Sequence, residues 1–185
     1  MMDRTTDTQA HLEERVRAQI GVEYGPLYGP QPVNAPMIRH WCEALDYDHP
    51  VLFGTSQGFP PRSSATVAPV AMMQVWTMQG TARDSAQLAF SRDAWRVLEI
   101  FEQAGYSAAV GAGTSQHYHR YAREGDRLGY LSSLQSISAL KQTALGEGYF
   151  VTVHYAFIDQ SGESVGTMDF TMFVYRTDAP LGGAR

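Results

Sequence analysis

The stretch Val67-Ala-Pro-Val-Ala-Met-Met-Gln-Val-Trp-Thr-Met78 is apolar at almost every position and carries Pro69 in its first turn. A helix that is apolar all round has to be buried on all sides, so something long must wrap it. Between Ser107 and Arg176 the pattern changes from helical to alternating, the period of half-buried strands. The expectation is an α+β fold in which a long antiparallel sheet wraps one central apolar helix. Upstream, Met37–Phe53 reads as a short helix that runs into a charged overhang stopped by His49-Pro50.

The remaining elements follow from spacing and punctuation. Residues 1–10 are polar and read as a disordered N-terminus, 11–176 as the folded domain and 177–185 as a flexible tail. Leu12, Val16 and Ile20 recur every four residues, a helix over His11–Ile20 with Gly21 as its stop. Gly25–Pro32 reads as a loop. Asn34 is the expected N-cap of a helix with Pro36 in its first turn and Ile38, Trp41, Cys42 and Leu45 on one face. Ala89–Ala104 reads as a helix with Trp95, Val97, Leu98 and Phe101 inward and Gly105 as its cap. Strands are expected over Ser107–Ala122, Arg127–Ala144, Tyr149–Ile158 and Glu163–Arg176, joined by tight turns into a meander.

Composition narrows the function. A chain of 185 residues is one domain, and its net charge of −5 favours neither nucleic acid nor an anionic membrane. One cysteine, Cys42, leaves no disulfide framework. No apolar run reaches the length of a membrane span, and the first thirty residues are polar and charged, so a cytoplasmic protein is expected. His117 and His119 share a strand face but lack a third ligand, so neither a metal nor a resident cofactor is expected.

Several stretches together resemble the MaoC-like hydratases and dehydratases of the hot-dog superfamily. They are the overhang Leu45-Asp-Tyr-Asp-His-Pro-Val-Leu52, the helix start Ala68-Pro-Val-Ala-Met-Met73 and the strand-turn His119-Arg-Tyr-Ala-Arg-Glu-Gly-Asp126. More narrowly, Val33–Trp41, Met73–Met78, Gln116–Tyr121 and Lys141–Thr152 resemble the larger, non-catalytic subunit of heteromeric enoyl-CoA hydratases of actinobacterial steroid side-chain degradation. Those larger subunits continue into an OB-fold domain with a zinc ribbon, which the residues up to Arg185 do not carry. The resemblance implies the hot-dog fold, a CoA thioester substrate and a second hot-dog chain as partner.

Hydration of a 2-enoyl thioester needs a carboxylate and an imidazole to deprotonate water and return a proton, plus backbone N–H groups for the enolate oxygen. The catalytic members carry the first two in a pattern Gly-Asp-x-Asn-Pro-Leu-His. Aligned on Pro50, that pattern places Tyr47 at the Asp position, His49 at the Asn position and Leu52 at the His position. Leucine takes no proton, and a phenol is a poor base at neutral pH. Pro69 has no N–H, and Val70 stands where the catalytic members have glycine.

The resemblance therefore implies a half that supplies tunnel wall and interface while its partner supplies the Asp–His pair, as a heterodimer or a dimer of heterodimers. Tyr47, His49, Pro69, Val70, Met72, Met73 and Trp76 are the substrate-binding candidates, although a Met- and Trp-rich buried helix is more often plain core than substrate wall. Arg120, Arg123 and Lys141 are the candidates for the CoA phosphates, or are solvated cations. Two other readings stay open. One is a self-sufficient homodimer using Asp46 or Asp48 with His49; the other is an acyl-CoA binding or assembly module without catalysis.

Overall fold

The computed structural model describes residues 4–47, 66–80 and 92–177. Helix α1 spans Arg4–Arg17 and buries Leu12 and Val16. It starts earlier and stops sooner than the expected His11–Ile20. Ile20 is 43% exposed and forms a bridge to Leu134, while Gly21, at φ 79°, donates its N–H to Leu134 O.

The first correction follows directly. Glu23–Tyr28, read as entering a loop, is strand β1, paired antiparallel with β3 (Gly129–Ile137). Gly-Pro is ordinarily a turn signal, but here the register shifts between Tyr24 and Leu27, and Gly25 sits in that bulge at φ 112°. A Cβ on Gly25 would lie 2.7 Å from Tyr130 O, so the close approach requires glycine. Pro26 is tolerated because β1 is an edge strand.

Helix α2, Ala35–Ala44, is capped as expected: Met37 N–H donates to Asn34 Oδ1 at 3.0 Å, and Ile38 and Cys42 are buried. Leu45, expected on the apolar face, is 59% exposed. Asn34→Ala is expected to destabilise the fold by about 1 kcal/mol, seen as a lower urea midpoint at unchanged slope. An unmoved midpoint would show that α2 is held by packing alone.

The central segment departs from a continuous, all-round buried helix. It forms two 3-10 turns, Val70–Met72 and Val75–Thr77. Ala68, Pro69, Met72, Met73, Trp76 and Thr77 are buried, while Ala71, Gln74 and Met78 are exposed. The buried pairs recur every four residues, which is one stripe. β-Branched Val70, Val75 and Thr77 disfavour an α-helix, and the Thr77 hydroxyl donates back to Gln74 O at 2.9 Å.

A third 3-10 turn, Ala94–Val97, leads into α3, Leu98–Gln103, within the expected helix; Trp95, Val97 and Phe101 are buried and Leu98 is half-buried. The other strands are β2 (Ala108–Tyr118), β4 (Lys141–Thr143), β5 (Gly146–Ile158) and β6 (Ser164–Tyr175).

The sheet order is β1-β3-β5-β6-β2, with β4 also on β5. It is not a simple meander, because β2 pairs with the last strand and not with β3. The single strand expected over Arg127–Ala144 is broken between β3 and β4. There the Ser138 backbone N–H donates to Phe150 O, and the Ser138 hydroxyl accepts the Phe150 N–H at 3.0 Å.

β5 shows why the sheet has an inside. Tyr149, Val151, Val153, Tyr155 and Phe157 are buried, and the residues between them are half-buried. The inner face packs on α1, α3 and the 3-10 turns in one core. This is the α+β, hot-dog arrangement expected, with turns where a longer helix was anticipated. No helix among the described residues is long and apolar enough to cross a membrane.

Candidate functional site

The overhang begins where α2 ends. Leu45 caps the helix, Asp46 turns the chain at φ 48°, and the Tyr47 N–H returns to Cys42 O at 2.8 Å. The Tyr47 ring meets Trp41 edge-on at 5.9 Å and remains 41% exposed. The position expected to align with the aspartate of catalytic members thus holds a phenol packed on an indole. Asp48, His49, Pro50 and Leu52 lie outside the described residues. Burial, reinforced by the Glu43 charge, pushes the Cys42 thiol up, consistent with an inert core side chain.

Of the expected substrate-contacting residues, Met72, Met73 and Trp76 are core, at 1–3% exposure. Met73 lies directly on β6: a Cβ on Gly166 would come within 2.7 Å of its sulfur. Pro69 is buried ahead of the first turn, and Val70 is half-buried. The cavity lies beside this stripe. It holds about 210 Å³ between the second 3-10 turn and the sheet. The turn and the residues after it contribute Gln74, Thr77, Met78, Gln79 and Gly80; the sheet contributes Tyr130, Tyr155, Phe157 and Met168.

Beneath the cavity is a buried polar network that the sequence did not single out. Asp93, 6% exposed, accepts the Tyr130 hydroxyl on Oδ2 at 2.6 Å; its Oδ1 accepts the Ser132 hydroxyl at 3.2 Å and the Trp95 backbone N–H at 3.1 Å. Trp95 Nε1–H donates to the Tyr155 hydroxyl at 2.5 Å. The Tyr130 and Tyr155 rings meet edge-on at 5.2 Å. Burial, then the Asp93 charge, drives both phenols far above their usual range, so both stay neutral O–H groups. Asp93 was legible only as an acid within the helix expected over Ala89–Ala104; Tyr130 and Tyr155 were legible only as positions in alternating strands.

The three cations expected to meet CoA do not form one site. Arg120 is committed internally, with its side chain 13% exposed: Nη1 donates to Asp126 Oδ2 at 2.7 Å and Nη2 to Asp159 Oδ2 at 2.6 Å, with Glu163 3.5 Å from Nε. It clamps two turns, and both of its terminal nitrogens are already held. Arg123 and Lys141 are exposed. Arg123 lies in the turn that Asp126 holds, near the end of β5, whereas Lys141 pairs with Gly148 at its start. Strand rise separates these ends by roughly 35 Å, so the two side chains do not grip one phosphate group.

His119 Nδ1 contacts Ser164 Oγ at 2.7 Å, and no group of three metal-binding side chains occurs among the described residues. The one histidine–carboxylate contact among them, His154 Nδ1 to Asp169 Oδ1 at 2.6 Å, lies on the outer face of the sheet, away from the cavity.

The profile of the FAS1-like dehydratase domain region matches residues 18–168. The probable enoyl-CoA hydratase alpha subunit of Thermomonospora curvata is 34% identical over 165 residues, covering 89% of this chain and 52% of that protein. The 3-oxo-4,17-pregnadiene-20-carboxyl-CoA hydratase alpha subunit of Mycobacterium tuberculosis is 31% identical over 151 residues, 82% of this chain and 47% of that protein. This chain thus spans about half the length of both relatives. A chain of the ChsH1-ChsH2 complex from Mycobacterium tuberculosis superposes with a TM-score of 0.72 at 29% identity, over 94% of this chain and 98% of that one.

Proposed function

Because the chain belongs to the FAS1-like dehydratase family, whose MaoC-like, hot-dog members it resembles along most of its length, we propose that it is the non-catalytic subunit of a heteromeric enoyl-CoA hydratase. The observation that carries the reading is Tyr47 packed on Trp41 where a catalytic member needs a carboxylate. A phenol held on an indole neither deprotonates water nor exchanges protons with an imidazole at neutral pH. The relatives named as alpha subunits, and the two-component complex whose chain superposes on this one, support a partner that carries the Asp–His pair.

The partner seat we assign is β2. Among the described residues it hydrogen-bonds to β6 on one side only, and Ala109–Ser115 are exposed. An eleven-residue edge whose stretch Ala108–Ser115 carries small side chains, Val110 apart, is suited to extension by a partner's strand. The substrate is a bulky 2-enoyl-CoA of the steroid side-chain type. Its acyl group reaches the cavity under the second 3-10 turn, and its CoA moiety meets Arg123 or Lys141, not Arg120. The thioester is itself the substrate, so no resident cofactor or metal takes part, and the setting is the cytoplasm.

The test is 2-enoyl-CoA hydration by this chain alone, by a MaoC-like chain carrying Gly-Asp-x-Asn-Pro-x-His alone, and by the two co-expressed. Turnover is expected only, or far more strongly, in the mixture. Full turnover by this chain alone would sink the reading and move attention to Asp46, Asp48 and His49. Thioester binding without turnover in any mixture would make it a binding module.

A further inference from the structure

We propose that the Tyr155 hydroxyl is a specificity-determining donor that recognises a hydrogen-bond-accepting oxygen on whatever ring-sized group enters the cavity. In the hydratase reading, on which only this last assignment rests, that group is the part of the acyl chain remote from the thioester.

An indole N–H can only donate, so the contact from Trp95 Nε1 makes the Tyr155 oxygen an acceptor and leaves its own O–H proton over. Three other donors on the lining already have acceptors: the Tyr130 hydroxyl goes to Asp93 Oδ2, the Thr77 hydroxyl to Gln74 O, and the Gln79 amide to Tyr28 O and Thr77 O, while Gln74 itself is exposed to solvent. Asp93 Oδ1 is taken by Ser132 and Trp95. Among the described residues, the Tyr155 proton has no acceptor.

Tyr155 is 7% exposed, and a buried donor without a partner costs about 1–3 kcal/mol. Tyr155 also lines a cavity whose neighbouring walls, Phe157, Met168 and Met78, are apolar. Apolar walls with a few placed polar groups are how a small-molecule pocket fixes orientation, and Tyr155 is the buried one among them with a proton to spare. The burial that keeps Tyr155 neutral also keeps the proton available as a donor over the whole physiological range.

The experiment titrates the full-length chain, in the assembly in which it purifies, with cyclohexanone and with methylenecyclohexane, which has the same shape but no oxygen. Methyl resonances of 13C-methionine at Met168 and Met78 report binding, and the dispersion of the same spectra reports folding. Preference is the ratio of the two dissociation constants. It is expected to fall about 5-fold in Tyr155→Phe, which loses one neutral hydrogen bond, and to stay within about 2-fold in Trp95→Phe, which keeps the hydroxyl. An unchanged ratio in Tyr155→Phe, an equal fall in Trp95→Phe, or failure of both probes to move Met168 would each overturn the proposal. The probes carry no thioester, so failure of the hydratase reading shows separately, in the turnover assay.

Discussion

Arg120→Ala is expected to lower the unfolding free energy by roughly 3–5 kcal/mol at pH 7, because it leaves two carboxylates desolvated and unpaired. Arg120 links the turn at Asp126 to the hairpin at Asp159, two points more than thirty residues apart in sequence, and all three side chains are mostly buried. Burial alone would raise the Asp159 carboxyl. Donors from the Ser161 hydroxyl, the Ser161 and Glu163 N–H groups and the Arg120 charge outweigh it and hold the carboxyl below the usual carboxylate range. A depressed carboxylate pKa contributes stability that is present above the unfolded value and lost as pH falls through the folded one. The gap between wild type and Arg120→Ala should therefore be widest at neutral pH and shrink in acid, as the stranded Asp159 carboxylate protonates. Urea unfolding at pH 7 and in acid checks both statements; a loss under 1 kcal/mol at pH 7 would show Arg120 to be a surface cation.

The second large effect falls on assembly. Gly113→Lys is expected to leave the stability of the single fold within about 1 kcal/mol and to reduce turnover of the co-expressed pair at least ~100-fold. A Cβ on Gly113 meets nothing within 4 Å, so the chain itself has room for the side chain. On an edge strand pressed against a partner, the same lysine buries an uncompensated charge. That costs several kcal/mol, and each 1.4 kcal/mol is about tenfold in affinity. Size-exclusion chromatography with the hydration assay separates the outcomes: a co-eluting, fully active Gly113→Lys pair would place the partner elsewhere.

What the sequence revealed, and what it hid, divides along the range of the interactions. The Asn34 cap and the alternation of β5 are written in residues a few positions apart. β1 was missed because Gly25-Pro26 is a turn signal in isolation and becomes a bulge only once β3 lies beside it. The stretch around Met72 and Trp76 was legible as buried, but not as a stripe, because which face is open depends on the sheet. Arg120 was read as a solvated or phosphate-binding cation, since neither Asp159 nor the register that delivers it is local. The Asp93–Tyr130–Tyr155 network was invisible for the same reason: its members lie on a 3-10 turn and two strands, and only the fold places them together.

The pairing of β2 with β6 also has a consequence in time. Ala108 finds its partner in Tyr175 and Tyr118 finds its partner in Gly166, so the second strand made waits for the last. At ordinary synthesis rates of ~5–20 residues per second, β2 spends several seconds outside the ribosome with neither edge satisfied. A hydrophobic strand in that position would invite pairing with other nascent chains. The run Ala109-Val-Gly-Ala-Gly-Thr-Ser115 has little to offer a wrong neighbour, with one large apolar residue and two glycines. The composition that suits β2 to a chosen partner in the finished protein also keeps it unattractive during its wait.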